Sequence, residues 1–387
     1  MTIKQAVILC GGLGSRLGRI TKRVPKPLVV VNNLTVLEHI IKNLSRYGIT
    51  EVLLLCHYKS DLFKKRFHNK FYFNIKIKCI IEKSLLGSSG ALLNAKKHLK
   101  KNFFFCNGDT FFDINLSDFF LNFGSRRQTA LLALKKFKNN KRYDTFLINK
   151  KNKLKIDVRK KSRFIHSGMC VFSKKIIKLL DKRGSLEKNI FSKLIYKNQL
   201  FGKVYSDDFI DMGTLKDLKK LPRFLRKVSY KPALFLDRDG VINKDSGYVF
   251  KKNEVIWRNH IFEYVKKYND NNFYVFVITN QSGIGRGYYS ENDVKKLHTY
   301  MNKKFIENGA HIDEFFYAPY FKDSKKKIYT KNKNLRKPNI GMIKLAQKNW
   351  NINLSKSILI GDKYSDKLTA ILAKIPYKIL KFGQKLH

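Results

Sequence analysis

The sequence predicts an α/β protein of two domains, and three observations predict it. First, short apolar runs at 6–10, 52–56, 103–106, 233–236, 273–278 and 358–360 have the length and composition of buried strands. Second, most of these runs end at once in a turn rich in Gly, Asp, Asn or Thr, and an amphipathic helical pattern follows at 36–47. Ligands of open α/β sheets bind beyond the carboxyl ends of the strands. Third, 387 residues suffice for two cores, and the basic stretch 221–232, with two prolines and four Lys/Arg residues, separates the halves. The expected division is residues 1–221, a linker at 222–231, and residues 232–387.

Composition narrows the class. A hydrophobic content of 43% with 13% aromatic residues belongs to a folded chain. No apolar run approaches a membrane span and no secretory pattern precedes the first strand, so a soluble, cytoplasmic protein without a membrane partner is expected. The formal charge of +51 raises nucleic-acid binding. The lysines are spread over both halves, with no basic tail and no aromatic RNA-binding signature. We therefore read solvated surfaces and expect no nucleic-acid partner, although the field helps attract phosphorylated substrates. Cys10, Cys56, Cys79, Cys106 and Cys170 lie mostly in apolar runs without a Cys-x-x-Cys pair, as small buried hydrophobes do.

In the first half, the run 6–10 leads into Gly11, Gly12, Leu13, Gly14, Ser15, Arg16 and Leu17. Glycines directly after a strand let backbone N–H groups approach a phosphate, and Arg16 adds a forked donor. The loop is neither the dinucleotide fingerprint nor a P-loop. Pro25 and Pro27 stiffen the backbone around Lys26, so its ammonium is presented from a fixed segment beside that loop. Taken singly, these are an ordinary Gly turn and a solvated lysine. Together with Thr21, the pattern closely resembles the sugar-phosphate nucleotidyltransferase family. Those enzymes join a sugar 1-phosphate to a nucleoside triphosphate and release pyrophosphate.

The resemblance spans about residues 3–220 and implies a Rossmann-like, mixed-sheet nucleotidyltransferase fold. The stretch 82–91, with Gly87 and Gly90, resembles the family segment that lies against the nucleotide base. Leu85, Ser88 and Ser89 depart from the family pattern there. Asp109, at the end of the run 103–106, and Asp211 match the family's two metal aspartates, which implies Mg²⁺. On the acceptor side, His166, Ser167 and Gly168 stand where the family has Asn-Ala-Gly, and Glu187 matches a sugar-hydroxyl ligand. The lysine expected before them is either Lys160 or Lys161. The loop sequence and Asn107-Gly108-Asp109-Thr110 look most like heptose 1-phosphate guanylyltransferases.

In the second half, a run at 233–236 ends in Asp237-Arg238-Asp239-Gly240. Two carboxylates one residue apart are costly without a cation between them, so the pair asks for Mg²⁺. Gly240 permits a sharp turn. The run 273–278 ends in Thr279, Asn280, Gln281, Ser282 and a Gly-rich stretch reaching Arg286, Arg336-Lys337-Pro338 offers a fixed cation, and the run 358–360 ends in Gly361-Asp362, with Asp366 four residues on to support the cluster. Hydroxyl, amide and cationic groups at strand tips hold phosphate oxygens. Asp362 completes the acidic cluster.

These four motifs, over about residues 232–380, resemble the haloacid-dehalogenase superfamily of phosphatases, with a doubly wound, Rossmannoid fold. Within it they look like the heptose bisphosphate and histidinol phosphate phosphatase group. The resemblance implies that Asp237 is the nucleophile, Asp239 the acid and base, and that Thr279 and Lys337 neutralise charge. It also implies Mg²⁺ on Asp237, Asp239 and Asp362, and substrate contacts from Asn280, Gln281, Ser282, Arg286 and Arg336. Many members of the group bind structural zinc. Here the corresponding places read Ala318-Pro319-Tyr320 and Lys333-Asn334-Leu335, and the second half contains no cysteine. No zinc is expected, and the Lys-rich stretch 321–334 is expected to be mobile.

The expected function is bifunctional. The second domain removes the 7-phosphate of D-glycero-D-manno-heptose 1,7-bisphosphate. The first couples the resulting heptose 1-phosphate to GTP or another nucleoside triphosphate. The rivals are a mannose or other hexose 1-phosphate guanylyltransferase fused to a phosphatase such as histidinol phosphatase, and a basic nucleic-acid-binding protein with relic enzyme domains. Anomer, base and oligomeric state are open at this stage.

Overall fold

The computed structural model describes residues 3–14, 18–124, 127–137, 143–159, 161–331 and 333–385. The chain divides into two compact units, Met1–Arg226 and Lys227–His387. The helix Leu215–Ser229 runs through most of the stretch read as a linker. Leu221, Leu225 and Val228 fall at helical spacing and are buried, and that apolar stripe outweighs the proline inside the helix, Pro222.

The first unit is built on strands β1 (Gln5–Leu9), β2 (Glu51–Cys56), β3 (Phe71–Tyr72), β4 (Ile75–Ile81), β5 (Asn102–Asn107), β6 (Ala130–Lys136), β7 (Phe164–Ser173) and β8 (Leu200–Tyr205). They form one sheet in the order β8-β6-β7-β5-β1-β2-β4-β3. It is mixed, because β7 runs antiparallel to β5 and β6. Val7 pairs with Leu53 and Phe105. The loops after β1 and β5 are therefore neighbours, and Gly108 N–H donates to Leu9 O at 2.9 Å. Alternation puts Phe103 and Phe105 in a core with Leu132, Cys170 and Phe172, while Phe104 meets Phe119 and Phe120 on the other face. The register of β7 shifts between His166 and Cys170, a bulge at the strand's approach to the loop after β5. The expected helix at 36–47 forms over Val36–Ser45, started by a Thr35–Glu38 capping box.

The second unit holds β9 (Ala233–Leu236), β10 (Tyr274–Asn280), β11 (Glu314–Ala318), β12 (Ile358–Gly361) and β13 (Tyr377–Ile379), all parallel, in the order β11-β10-β9-β12-β13. Successive residues of β9 enter different cores. Leu234 and Leu236 pack with Val275, Val277 and Ile360, whereas Ala233 and Phe235 pack with Phe276, Ile278 and Leu359. Both faces are covered, which explains the unbroken apolar runs and makes this a doubly wound sheet. The order of β9 reverses direction in the sheet, with β10 on one side and β12 on the other, so the carboxyl end of β9 opens a crevice.

Candidate active sites

The second unit gathers its charged residues at that crevice. Asp237 follows β9 and is 6% exposed, Lys337 is 3% exposed and Asp366 is fully buried. Lys337 Nζ lies 2.8 Å from Asp237 Oδ2 and 2.6 Å from Asp366 Oδ1. Asn280 holds this lysine by its backbone, accepting from Lys337 N–H at 3.0 Å and donating to Lys337 O at 3.1 Å. Asp366 Oδ2 accepts from Lys363 N–H at 3.0 Å. Carboxylate oxygens of Asp237, Asp362 and Asp366 lie within 4.8 Å of one another. Oδ1 of Asp362 is buried and has no hydrogen-bond partner. Gly240 has φ +87°, and a Cβ there would stand 2.1 Å from Asp362 Oδ2. The glycine thus lets the turn after β9 lie against that carboxylate.

Three carboxylates against one ammonium, with one oxygen unpartnered, fit a hard divalent cation with oxygen ligands. Burial pushes the Asp237 carboxyl up to about 7 despite Lys337 beside it. Burial also raises Asp362. Burial opposes the charge on Lys337, yet Asp237 and Asp366 hold its pKa above the ordinary lysine value.

Asp239 is held differently from the other three. Its carboxylate accepts from Arg238 Nε at 3.1 Å, Arg238 NH2 at 2.8 Å, Asn243 Nδ2 at 3.0 Å and Gln281 Nε2 at 2.9 Å. Gln281 also donates to Thr279 Oγ1 at 2.9 Å and accepts from Tyr289 OH at 2.8 Å. A cavity of about 370 Å³ is lined by Asp237, Asp239, Thr279, Asn280, Gln281, Ser282, Arg336 and Lys337 among others. Arg286 is not among its lining residues; its guanidinium stacks 3.8 Å over the Phe321 ring.

In the first unit two cavities meet. One, of about 330 Å³, is lined by Gly12, Gly14, Lys26, Ser88, Asn107, Asp109 and Glu187. The other, of about 490 Å³, shares Asn107, Asp109 and Glu187 and adds Asp211, His166, Ser167 and Gly168. Lys26, 7% exposed, places Nζ 3.3 Å from Asp109 Oδ2. A short ladder of Thr110–Phe112 with Phe209–Asp211 brings Asp211 opposite Thr110, and Met212 N–H donates to Asp109 O at 2.9 Å. Asp211 Oδ2 accepts from Tyr143 OH at 3.3 Å. Gly11 packs against His57 and Glu82. Ser15, Arg16 and Lys160 lie outside the described residues.

The segment 82–91 is tied to the segment 181–187. Gly87 has φ +70°, and a Cβ there would meet Gly184 O at 2.4 Å; one on Gly90 would meet Lys182 O at 2.3 Å. Ser88 Oγ donates to Glu187 Oε2 at 3.3 Å and accepts from Leu186 N–H at 2.8 Å. Ser89 Oγ accepts from Asp181 N–H at 2.9 Å. The two serines that depart from the family pattern therefore anchor the loop bearing Glu187. Ser167 turns its hydroxyl into the sheet, donating to Ala133 O at 2.8 Å. Gly168, at φ +78°, sits so close to the Asn107 side chain that a Cβ would reach its Nδ2 at 2.6 Å. His166 packs edge-on against Phe191, and burial lowers its pKa.

The structure sets Asp366 against Lys337, while sequence reasoning missed Tyr289 and the Asp245–Lys363 pair at 2.7 Å on the second unit's cavity. The recurrence of an acid four residues after Asp362, one helical turn on, was the available signal for Asp366.

The family described as Nucleotidyl transferase matches residues 5–228, and that described as Polynucleotide kinase 3 phosphatase matches residues 233–374. The chain thus belongs to the sugar-phosphate nucleotidyltransferase family in its first unit and to the haloacid-dehalogenase superfamily of phosphatases in its second. It is 37% identical over 220 residues to the D-glycero-alpha-D-manno-heptose 1-phosphate guanylyltransferase of Campylobacter jejuni, covering 55% of this chain and 96% of that one. It is 44% identical over 134 residues to the D-glycero-alpha-D-manno-heptose-1,7-bisphosphate 7-phosphatase of Burkholderia mallei, covering 35% of this chain and 71% of that one. The crystal structure of HddC from Yersinia pseudotuberculosis complexed with GMP-PN is 27% identical, with a TM-score of 0.50. The match covers 57% of this chain and 99% of that one. Among the described residues no helix is long and apolar enough to cross a membrane.

Proposed function

We propose that the chain is a bifunctional enzyme of nucleotide-activated heptose synthesis. Its second unit removes the 7-phosphate of D-glycero-D-manno-heptose 1,7-bisphosphate, and its first transfers GMP from GTP to the resulting heptose 1-phosphate, releasing pyrophosphate. One observation carries this reading. The two halves are similar to two enzymes whose named substrates are linked, since loss of the 7-phosphate from the bisphosphate leaves the 1-phosphate. We place it in the cytoplasm, where GTP is supplied.

In the second unit, Asp237 attacks phosphorus, the bond to the sugar oxygen breaks, and an aspartyl phosphate forms. Asp239 gives its proton to the departing sugar oxygen, then takes one from the water that releases inorganic phosphate. Lys337 and Thr279 offset charge on the transferring group, and Arg336 and Ser282 border the same cavity. Asp237, Asp362 and Asp366 would hold Mg²⁺, with Asp239 beside them, and the ion would neutralise phosphate charge.

In the first unit, the glycine loop and Lys26 receive the triphosphate, and Glu187 and His166 border the space for the sugar. Asp109 and Asp211 would hold the second Mg²⁺. The sugar phosphate oxygen displaces pyrophosphate at the α-phosphorus, an exchange of one phosphoanhydride bond for another. Lys26, on the wall of the smaller cavity beside Asp109, offsets the charge that develops there.

The test is phosphorus NMR on the purified chain with Mg²⁺, GTP and each anomer of the heptose bisphosphate. Inorganic phosphate should appear first, followed by pyrophosphate and a GDP-sugar. Phosphate without consumption of GTP, ATP or CTP would remove the nucleotidyl half of the reading. An unchanged bisphosphate would remove the heptose assignment.

A further inference from the structure

The stretch 321–334 carries six lysines against one aspartate, and all six are exposed. Like charges so dense favour a detached loop. The structure instead ties it down at one carboxylate. Glu291, at the start of the helix Glu291–Glu307, accepts from Tyr317 OH at 2.7 Å through Oε2 and from Tyr329 OH at 3.2 Å through Oε1. Tyr317 lies in β11, before the stretch, and Tyr329 lies within it. Tyr329 O accepts from Phe321 N–H at 3.1 Å, Phe321 carries the Arg286 guanidinium, and Tyr320 O accepts from Arg336 NH1 at 3.3 Å. Gly285 packs so close to Pro319 and Phe321 that a Cβ would meet Pro319 O at 2.7 Å. One connected set of contacts thus runs from Glu291 to Arg336 on the cavity wall.

We propose that Glu291 is a positioning residue for the phosphatase site: clamped by Tyr317 and Tyr329, it fixes the Lys-rich stretch so that Arg336 is presented to the phosphate. This rests on the phosphatase reading above. Phenol-to-carboxylate bonds are charge-assisted and therefore among the stronger hydrogen bonds, and the helix N-terminus favours the anion. The clamp is formed entirely from side chains of the chain itself.

The test uses the full-length chain and its Glu291→Ala, Tyr329→Phe and Arg336→Ala variants, with Glu291→Ala/Arg336→Ala as the double variant. Two readouts are taken: the rate of tryptic nicking within 321–334, and phosphate release from the heptose bisphosphate and from p-nitrophenyl phosphate. Loss of Glu291 is expected to speed nicking and to lower kcat/KM by about ten- to a hundredfold, the scale of a displaced positioning group. Tyr329→Phe should do the same more weakly. The effect of Glu291→Ala should largely vanish in the Arg336→Ala background, because both act on one contact. A retained cooperative unfolding transition of the second unit, followed by calorimetry, reports that each variant is folded. Unchanged nicking, or losses that simply add in the double variant, would overturn the proposal. If the unaltered chain releases phosphate from p-nitrophenyl phosphate but not from the bisphosphate, the heptose reading falls, while nicking and the double-variant comparison still decide the clamp.

Discussion

The ammonium of Lys337 stands 2.6 Å from Asp366, and both side chains are withdrawn from solvent. The two residues are 29 positions apart. Lys337 also reaches Asp237, so one cation compensates two carboxylates in the crevice. Removing one partner of a buried ion pair typically costs about 3–5 kcal/mol, because the other charge stays buried and alone. Lys337→Ala should lower the unfolding midpoint by calorimetry and reduce phosphate release by about a hundredfold or more. Added Mg²⁺ should restore part of the midpoint, since a cation again faces the carboxylates.

Asp237 carries a pH dependence with a definite sign. Its folded-state pKa is raised by burial to about 7, above the ordinary aspartate value of 3.8. The folded metal-free state therefore holds a proton that the unfolded chain has lost. Stability from this group is full below about pH 4 and falls as pH rises toward about 7. Mg²⁺ competes with that proton, so the rise in melting temperature on adding Mg²⁺ should grow between pH 6 and pH 8. Differential scanning fluorimetry across that range checks it, and in Asp237→Asn the growth should flatten.

Asp237→Asn should abolish phosphate release, by about 10³-fold or more as for loss of a nucleophile, while leaving GTP consumption intact when heptose 1-phosphate is supplied directly. Measuring both products in one reaction shows that the loss is confined to the second unit, and a retained cooperative unfolding transition separates loss of chemistry from loss of fold.

Lys26 predicts the converse. With Nζ 3.3 Å from Asp109, it lines the smaller cavity of the first unit beside a residue that both cavities share. Lys26→Ala should stop the sequence at heptose 1-phosphate and lower pyrophosphate release by about 10²- to 10³-fold. Unaltered release of pyrophosphate would remove Lys26 from the site.

Gly87 tests the join between the 82–91 segment and the Glu187 loop. At φ +70°, with Gly184 O in the way of any Cβ, Gly87→Ala must move one backbone off the other. A left-handed conformation alone costs about 1–2 kcal/mol for an L-residue. We expect a several-fold rise in KM for GTP or the sugar phosphate, with phosphate release unchanged, by steady-state kinetics.

Much of the molecule was legible in the chain itself, for a local reason. Apolar runs ending in glycine and aspartate turns dictate strands whose tips carry the chemistry, so Lys26, Asp109, Asp237, Thr279 and Asp362 could be placed at strand ends or beside them from neighbours a few residues away. The helical spacing of Leu221, Leu225 and Val228 also stands in the sequence, within the stretch read as a linker. Tertiary structure alone decided what depends on distant partners. It joined Asp366 to Lys337, gave Ser88 and Ser89 the task of holding the Glu187 loop, turned Arg286 from the cavity onto Phe321, and anchored a stretch expected to be mobile through Tyr317, Tyr329 and Glu291. Hydrogen bonds and ion pairs of that kind act over about 3 Å in space but span up to a hundred residues of chain, and only the packing of helices against the sheets brings their ends together.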